Sequence, residues 1–227
     1  FRWAYGAVQI LRHHSKGLFS FRKSRLSLGQ RYHFIAGWLP WLADGFNLLF
    51  NTAALLWSLA MVLAPKNVDP PMLVFSLVPI TLFVFKAAKL FYIYKSRIGA
   101  TTLQTLAGGL AGLSLAHTIS RAVLLGFVTK GIPFFRTPKL ADRLSWRNAF
   151  SMVREELILL AGLWLAAFAV VFKLGVDAPD MLFWVIVLLV QSLSYLASLV
   201  VALISTMPNL SAKRIGIRMI ETSESLK

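Results

Sequence analysis

Long apolar runs separated by short polar connectors are the main pattern along the chain. Four of these runs lie at about residues 38–64, 72–92, 156–172 and 181–207. Each approaches or exceeds the roughly 20 apolar residues with which an α-helix crosses a bilayer. The pattern therefore predicts an all-α membrane protein with about four transmembrane helices, together with interfacial helices and a loop on the cytoplasmic side.

A fifth apolar stretch, 99–126, permits two interpretations. It is long enough to span a membrane, yet it contains Gln104, Arg121 and three glycines near its middle. Basic clusters precede it at 86–97 and follow it at 130–154. If the stretch crossed the bilayer, one cluster would lie outside the cell, against the tendency of Lys and Arg to stay in cytoplasmic loops. We therefore expect an interfacial or shallow re-entrant helix with a bend near the glycines.

The first 18 residues predict an amphipathic helix. Polar residues recur at spacings of three and four, while most apolar residues fall on another face. The polar residues are Arg2, Tyr5, Gln9, Arg12 and Lys16. A helix of this kind lies in the plane of the membrane surface instead of crossing it.

This pattern divides the chain into five regions. They are an interfacial helix with a basic connector (1–37), a first transmembrane hairpin (38–97), an interfacial helix with a gating loop and a basic amphipathic segment (98–153), a second transmembrane hairpin (154–207) and a cytoplasmic tail (208–227). The two connectors that carry few charges are expected outside, so both ends are expected in the cytoplasm.

Composition supports a membrane protein and excludes several classes of function. The chain of 227 residues is 57% hydrophobic with a mean hydropathy of +0.68, whereas soluble domains are about 45–50% apolar. The net charge is +15, but the basic residues interrupt the apolar runs, so no nucleic-acid partner is expected. The chain has no cysteine, its histidines lack metal-ligand spacing, and it has no phosphate-binding glycine motif. Neither a catalytic residue nor a metal site is predicted.

Two polar stripes are expected in the first and fourth spans. One contains Asp44, Asn47, Asn51 and Ser58, and the other contains Gln191, Tyr195, Ser198 and Ser205. Polar groups inside a membrane are costly, so each stripe should face protein or water. Two interpretations stay open, a channel lining and hydrogen bonding between helices.

The segment from Gly126 to Gly131 is the clearest candidate for chemistry. It is basic and follows a long apolar stretch, and its two glycines enclose Phe127, Val128, Thr129 and Lys130. Glycine gives the backbone freedom to move, so we expect a loop here. A hydroxyl and an ammonium both donate hydrogen bonds, which phosphate oxygens accept.

Three motifs resemble those of the processive family 2 glycosyltransferases, the cellulose synthases and related bacterial β-glucan synthases. Phe1-Arg2-Trp3 resembles the end of Gln-x-x-Arg-Trp, which in that family lies on an interfacial helix just after the cytosolic catalytic domain. Gly108 to His117 resembles the Gly-Gly-x-Ser-Ala-His pattern of plant cellulose synthases. Phe127 to Lys130 resembles the gating loop Phe-x-Val-Thr-x-Lys, with two spacer residues fewer. The stretches 30–34 and 134–139 look closer to enzymes of the cyclic-glucan type.

The resemblance implies roles for particular residues. Trp3 would stack on the acceptor sugar, and Arg2, Thr129 and Lys130 would bind the donor diphosphate. Gly126, Phe127, Val128 and Gly131 would belong to the gating loop, and the two polar stripes would face a channel for the growing polymer. Mg²⁺ or Mn²⁺ and the catalytic carboxylates would belong to a cytosolic domain of a longer chain, since this one begins without Met.

The expected function is thus the membrane-translocation part of an enzyme that polymerises a β-glucan from a nucleotide sugar, UDP-glucose by resemblance. The expected partners are the nucleotide sugar, the growing glucan, the lipid bilayer and the cytosolic domain, and the expected location is a bacterial inner membrane. The polar stripes also favour a second hypothesis, a small-solute transporter or channel subunit. A purely structural membrane scaffold is the third.

Overall fold

The computed structural model describes residues 1–20, 26–132 and 146–206, and every regular element in these ranges is an α-helix. The helices are α1 (Arg2–Phe19), α2 (Leu28–Leu63), α3 (Leu73–Ser96), α4 (Thr102–Ser114), α5 (Ala116–Val128), α6 (Trp146–Met152), α7 (Arg154–Leu174) and α8 (Pro179–Ser205). The predicted tail 208–227 and the continuation of the predicted loop at 133–139 lie outside the described residues.

Five helical stretches are long and apolar enough to cross a membrane: Leu28–Leu63, Leu73–Ser96, Thr102–Val128, Arg154–Leu174 and Pro179–Ser205. The predicted all-α membrane protein is confirmed, and the chain has the helices of a multi-pass protein. Four of these stretches correspond to the predicted spans, and the fifth is the stretch that was expected to lie along the membrane. Length and composition alone do not distinguish a spanning helix from an interfacial one.

Helix α8 is the centre of a bundle that it forms with α2, α3 and α7. Half of its most apolar window is buried, against 6% for α3. Leu188 of α8 packs in one apolar core with Met61 of α2 and Leu163 of α7, and each of the three is fully buried. Burying such side chains contributes about 1.5–3 kcal/mol each relative to an aqueous surface, although lipid reduces this gain where it replaces water.

Polar contacts fix the register of the bundle. Trp184 Nε1 donates to Ser58 Oγ at 2.9 Å, and Lys173 Nζ donates to the carbonyl of Val62 at 2.6 Å. Farther along the same helices, Asn51 Nδ2 donates to the hydroxyl of Tyr195 at 2.6 Å. We call the end of the bundle that carries Ser58, Lys173 and Trp184 the distal end, and the end that carries Asp44, Tyr94, Glu155 and Ser198 the proximal end.

Helices α4 and α5 contact the bundle at its proximal end. The hydroxyl of Ser198 donates to the carbonyl of Ser114 at 2.9 Å, and Lys95 Nζ donates to Thr102 Oγ1 at 2.8 Å. Ser120 donates to the carbonyl of Asp44. Thr102, Ser114 and Ser120 of this 27-residue stretch therefore all contact the proximal end of the bundle, although a straight helix of that length measures about 40 Å.

Glycines allow the close approach of these helices. A Cβ placed on Gly45 of α2 would lie 2.5 Å from Cγ1 of Val123 on α5. A Cβ on Gly108 or Gly109 would come within 2.9 or 2.8 Å of Tyr94 and Leu90 on α3. Small residues at helix contacts are common in membranes, because they let backbones pack closely where the hydrophobic effect is weak.

Two helix boundaries are set by local contacts that the apolar pattern does not show. Helix α2 begins at Leu28, inside the predicted connector, because Ser27 and Gln30 form a reciprocal capping box at its start. Arg31 then donates to the carbonyls of Leu18 and Ser20 at 2.9 Å and ties the end of α1 to α2. The break between α4 and α5 lies at Leu115, three residues after Gly112 and close to the expected bend, whereas Gly108 and Gly109 pack against α3.

Replacing Gly45 by alanine should destabilise the protein, because the new methyl group would collide with Val123. Overpacking of this kind costs about 1–3 kcal/mol, which lowers the midpoint of thermal unfolding in detergent by a few degrees. Gly37→Ala is the matched control on the same helix, where a Cβ meets nothing within 4 Å. That variant should be neutral or more stable by about 0.5–1 kcal/mol, and equal effects from both variants would contradict the packing described.

Candidate functional site

One face of α1 holds the end of α5. Tyr5, Gln9 and Arg12 follow one another at spacings of four and three, so they lie on one side of the helix. The hydroxyl of Thr129 donates to the carbonyl of Leu125 at 2.7 Å, which uses its one proton. The hydroxyl of Tyr5, 2.8 Å from Thr129 Oγ1, must therefore be the donor in that pair.

The same face of α1 supplies donors to the last carbonyls of α5. Gln9 Nε2 donates to the carbonyl of Gly126 at 2.8 Å and to that of Thr129 at 3.2 Å. Arg12 Nη1 donates to the carbonyl of Gly126 at 2.8 Å and also to that of Thr129. The carbonyl of Gly126 lies in the last turn of α5, where carbonyls lack a partner within the helix and carry the negative end of its dipole, and Thr129 is the extended residue that ends the helix. A guanidinium therefore stabilises this end by both hydrogen bonding and charge.

Gly126 brings the two helices together. A Cβ at this position would lie 2.8 Å from Cβ of Val8, and Gly126 is buried. The prediction that the loop begins here was wrong, because Gly126, Phe127 and Val128 form the last turn of α5. This glycine is explained by close helix packing, which sequence alone does not separate from a loop signal.

The irregular segment starts at Thr129, which is half-buried against α1. Lys130 and Gly131 follow and are exposed, as are Phe127 and Val128. The hydroxyl of Thr129 is already engaged by Tyr5 and Leu125. Thr129 and Lys130 were the two donors predicted in this segment. Of these, Lys130 is the one exposed to solvent.

Trp3 lies on a different side of α1, beside an open groove. The groove has a volume of about 550 Å³. Its lining is mostly aromatic and aliphatic, and consists of Arg2, Trp3, Gly6, Ala7 and Ile10 from α1 and His33, Phe34, Gly37, Trp38 and Trp41 from α2. Trp3 is 85% exposed, so its indole face is open to a ligand.

Arg2 is placed between the two faces of α1. It lines the groove of Trp3. It also lies one turn before Tyr5 and two turns before Gln9, so it is on the face of α1 that contacts α5. Trp3 itself is two residues from Tyr5, which turns it about 160° away around the helix axis. The structure thus brings Thr129 to α1 but sets Trp3 on a separate surface.

Three comparisons with known proteins give no match. No family model, no curated protein and no solved structure matches the chain.

The predicted channel residues lie in a packed seam between helices. Asn51 and Tyr195 are fully buried and bond to each other, and Ser198 is buried against α4. Asn47 is half-buried, and Asp44 lies 3.5 Å from Lys86 Nζ in an ion pair between α2 and α3. These contacts favour hydrogen bonding between helices over an open lining. Gln191 differs from the others, because its side-chain amide is buried without a hydrogen-bond partner among the described residues.

An ionic contact between α5 and α7 was not predicted. Glu155 Oε2 lies 3.0 Å from His117 Nε2 and 2.9 Å from Arg121 Nη1. His117 and Arg121 are one turn apart on α5, so both reach the same carboxylate. The four-residue spacing of His117 and Arg121 was the only available signal in the sequence. Their partner could not be predicted, because Glu155 lies 38 positions after His117.

Metal ligands do not gather anywhere in the described ranges. No group of three His, Cys, Asp or Glu side chains there could hold a metal ion. The residues of α1 and α5 instead offer hydrogen-bond donors, aromatic surface and positive charge. In proteins generally, such donors and positive charges suit phosphate oxygens, and aromatic surfaces suit apolar ligand faces.

Arg12→Met should loosen the end of α5. Hydrogen bonds to charged groups contribute about 1.5–3 kcal/mol, so backbone amide exchange in the last turn of α5 should rise by roughly tenfold or more. Hydrogen–deuterium exchange read by mass spectrometry measures this change. Lys16→Met is the control, because Lys16 is an exposed cation on the same helix. Unchanged exchange in Arg12→Met, or an equal rise in both variants, would remove Arg12 from this role.

Proposed function

We propose that this chain is the membrane-translocation part of a processive glycosyltransferase that makes a β-glucan from a nucleotide sugar. In this proposal α1 and the segment after α5 face the donor and acceptor, and the transmembrane helices belong to the passage by which the polymer leaves. The nucleotide sugar is UDP-glucose by the resemblance of three motifs to that family.

The observation that carries the proposal is the contact of Tyr5 with Thr129 at 2.8 Å. Two of the resembling motifs are separated by more than 120 residues, and this contact joins the helix of one to the end of the other. A phosphorylated donor needs positive groups from more than one element, because its charge is spread over several oxygens. Arg2 on α1 and Lys130 after α5 are cations on two such elements.

The groove of Trp3 supports an acceptor site. Sugar rings carry an apolar face of C–H bonds and a rim of hydroxyls, so a flat aromatic surface beside polar groups suits them. Trp3 offers an exposed indole, and Arg2 and His33 line the same groove. The groove is open at the surface, which a polymer that moves stepwise would require.

The position of α4 and α5 also supports the proposal. Both ends of this stretch contact the proximal end of the bundle, where α1 also packs. An interfacial or re-entrant stretch keeps the basic groups on its two sides at one membrane surface, which the positive-inside rule makes the cytoplasmic one. Nucleotide sugars are made in the cytoplasm, so the proposed location is a bacterial inner membrane with both chain ends inside.

Bond formation is assigned to residues outside this chain. The proposal places the catalytic carboxylates and their Mg²⁺ or Mn²⁺ in a cytosolic domain of the same protein. In this proposal, the chain binds and orients the nucleotide sugar and the growing glucan and releases the polymer. A small-solute transporter is supported less well, because the polar stripes that motivated it are largely engaged in contacts between helices.

Trp3→Ala should abolish polymer synthesis in membranes that contain the complete protein, whereas Trp3→Phe should keep part of it. Loss of an aromatic stacking surface costs about 1–3 kcal/mol, and a processive enzyme incurs that loss at every step. Incorporation of radiolabelled glucose into polymer is the measurement. Phe19→Ala removes an exposed aromatic from the far end of the same helix and serves as the control. Normal synthesis by Trp3→Ala would end the acceptor role.

Lys130→Ala should weaken binding of the nucleotide sugar. Lys130 is exposed, so the variant removes a charge and should not disturb packing. Loss of one contact between an ammonium and a phosphate should raise the KM for the donor by roughly tenfold, about 1.4 kcal/mol. Lys66→Ala, at an exposed lysine near the distal end, is the control. Donor kinetics that are unchanged in Lys130→Ala would assign this segment a structural role.

A further inference from the structure

Gln191 is the one predicted stripe residue whose burial has no explanation in the contacts of the described residues. It is 8% exposed, and neither Oε1 nor Nε2 has a hydrogen-bond partner among them. It lies twelve residues after Pro179 and fourteen before Ser205, so it is near the middle of α8. An unpaired amide at that depth is unfavourable, since lipid supplies neither donors nor acceptors.

A second unpaired group lies on α2, which faces the same side of α8. Asn51 is fully buried and its Nδ2 donates to Tyr195, but its Oδ1 has no partner in the described residues. Tyr195 is one turn after Gln191 on α8, and aromatic side chains of a helix lean toward its N-terminus. The hydroxyl of Tyr195, and Asn51 with it, is therefore directed toward Gln191.

The pairing of residues between α2 and α8 also places Asn51 near Gln191. Along α8, Gln191 lies between Trp184, which bonds to Ser58 of α2, and Tyr195, which bonds to Asn51 of α2. The side chains of Asn51 and Gln191 thus belong to one stretch of the contact between α2 and α8. Together they offer two amide oxygens and one amide nitrogen, and all three atoms are buried.

The proximal side of Tyr195 continues this polar line. The ring of His117 packs edge-on against the ring of Tyr195, with centroids 5.9 Å apart, and its Nδ1 is also buried without a partner in the described residues. Its Nε2 contacts Glu155, whose side chain is half exposed at the proximal end. Toward the distal end, the series of unpaired polar groups stops at the hydrogen bond of Ser58 with Trp184 and at the apolar core around Met61.

We propose that Asn51, Tyr195 and Gln191 form a site for ordered water in the middle of the bundle, reached from the proximal end past His117. Water fits because each molecule both donates and accepts, as two oxygens and one nitrogen together require. The site ends at the Ser58–Trp184 bond, so it is a blind pocket and not a path through the membrane. This proposal does not depend on the function proposed above.

Hydroxyl-radical labelling by synchrotron radiolysis tests the site in the intact protein in membranes. Radicals form from water itself, so a buried side chain is labelled when water is bound next to it. Tyr195 and Met61 are both at most 1% exposed and belong to the same core. Methionine is intrinsically at least as reactive as tyrosine, yet Tyr195 should be labelled several-fold faster. A Tyr195 rate no higher than that of Met61 would overturn the proposal.

Gln191→Met tests the part played by the amide. Methionine has a similar shape but does not donate a hydrogen bond, so water should be lost and labelling of Tyr195 should fall to the rate of Met61. Leu189→Met is the matched control, since Leu189 is partly exposed on the same helix, and it should leave the rate at Tyr195 unchanged. An undiminished rate in Gln191→Met, with Met61 still protected, would remove Gln191 from the site. Should that variant unfold, Met61 is labelled as well, and the comparison within the unaltered protein still decides the proposal.

Discussion

The last carbonyls of α5 impose the constraint on which the proximal end depends. A helix that ends near a membrane surface must find donors for these groups, and water is scarce where another helix covers them. Gln9 and Arg12 supply the donors, and Gly126 makes the approach short enough for them to reach. One contact therefore fixes α1 to α5, sets where the helix ends, and leaves Lys130 exposed just beyond it.

The same requirement explains the interior of the bundle. Polar side chains there meet one another across helix contacts, as Trp184 meets Ser58 and Asn51 meets Tyr195. These pairs set the register of antiparallel helices, which apolar side chains and lipid would specify weakly. Gln191 is different, because its buried amide has no such partner on another helix among the described residues. For this reason we propose bound water beside it, and not another hydrogen bond between helices.

Sequence reasoning succeeded where the signal is local and failed where it depends on distant residues. The apolar runs predicted the spanning helices because bilayer thickness fixes their length, and the spacing of Tyr5, Gln9 and Arg12 predicted a polar face on α1. The partner of that face could not be predicted, because Arg12 and Gly126 are 114 residues apart. Gly126 was assigned to a loop because a glycine that permits helix packing and one that permits a turn are identical in sequence.

The stretch from Thr102 to Val128 could cross the membrane by its length, but its contacts lie at one end of the bundle. Its length and hydropathy are those of a spanning helix. These two properties say nothing about the residues that the two ends of the helix contact. Thr102 contacts Lys95, which is next to Tyr94, and Thr129 contacts Tyr5, which packs in one cluster with Leu42 just before Asp44. Ser120 donates to the carbonyl of Asp44, and His117 Nε2 and Arg121 Nη1 contact Glu155, so these groups find protein partners at that end. Crossing the bilayer would break these contacts and expose those groups to lipid, which favours the interfacial or re-entrant arrangement that the charge distribution indicates.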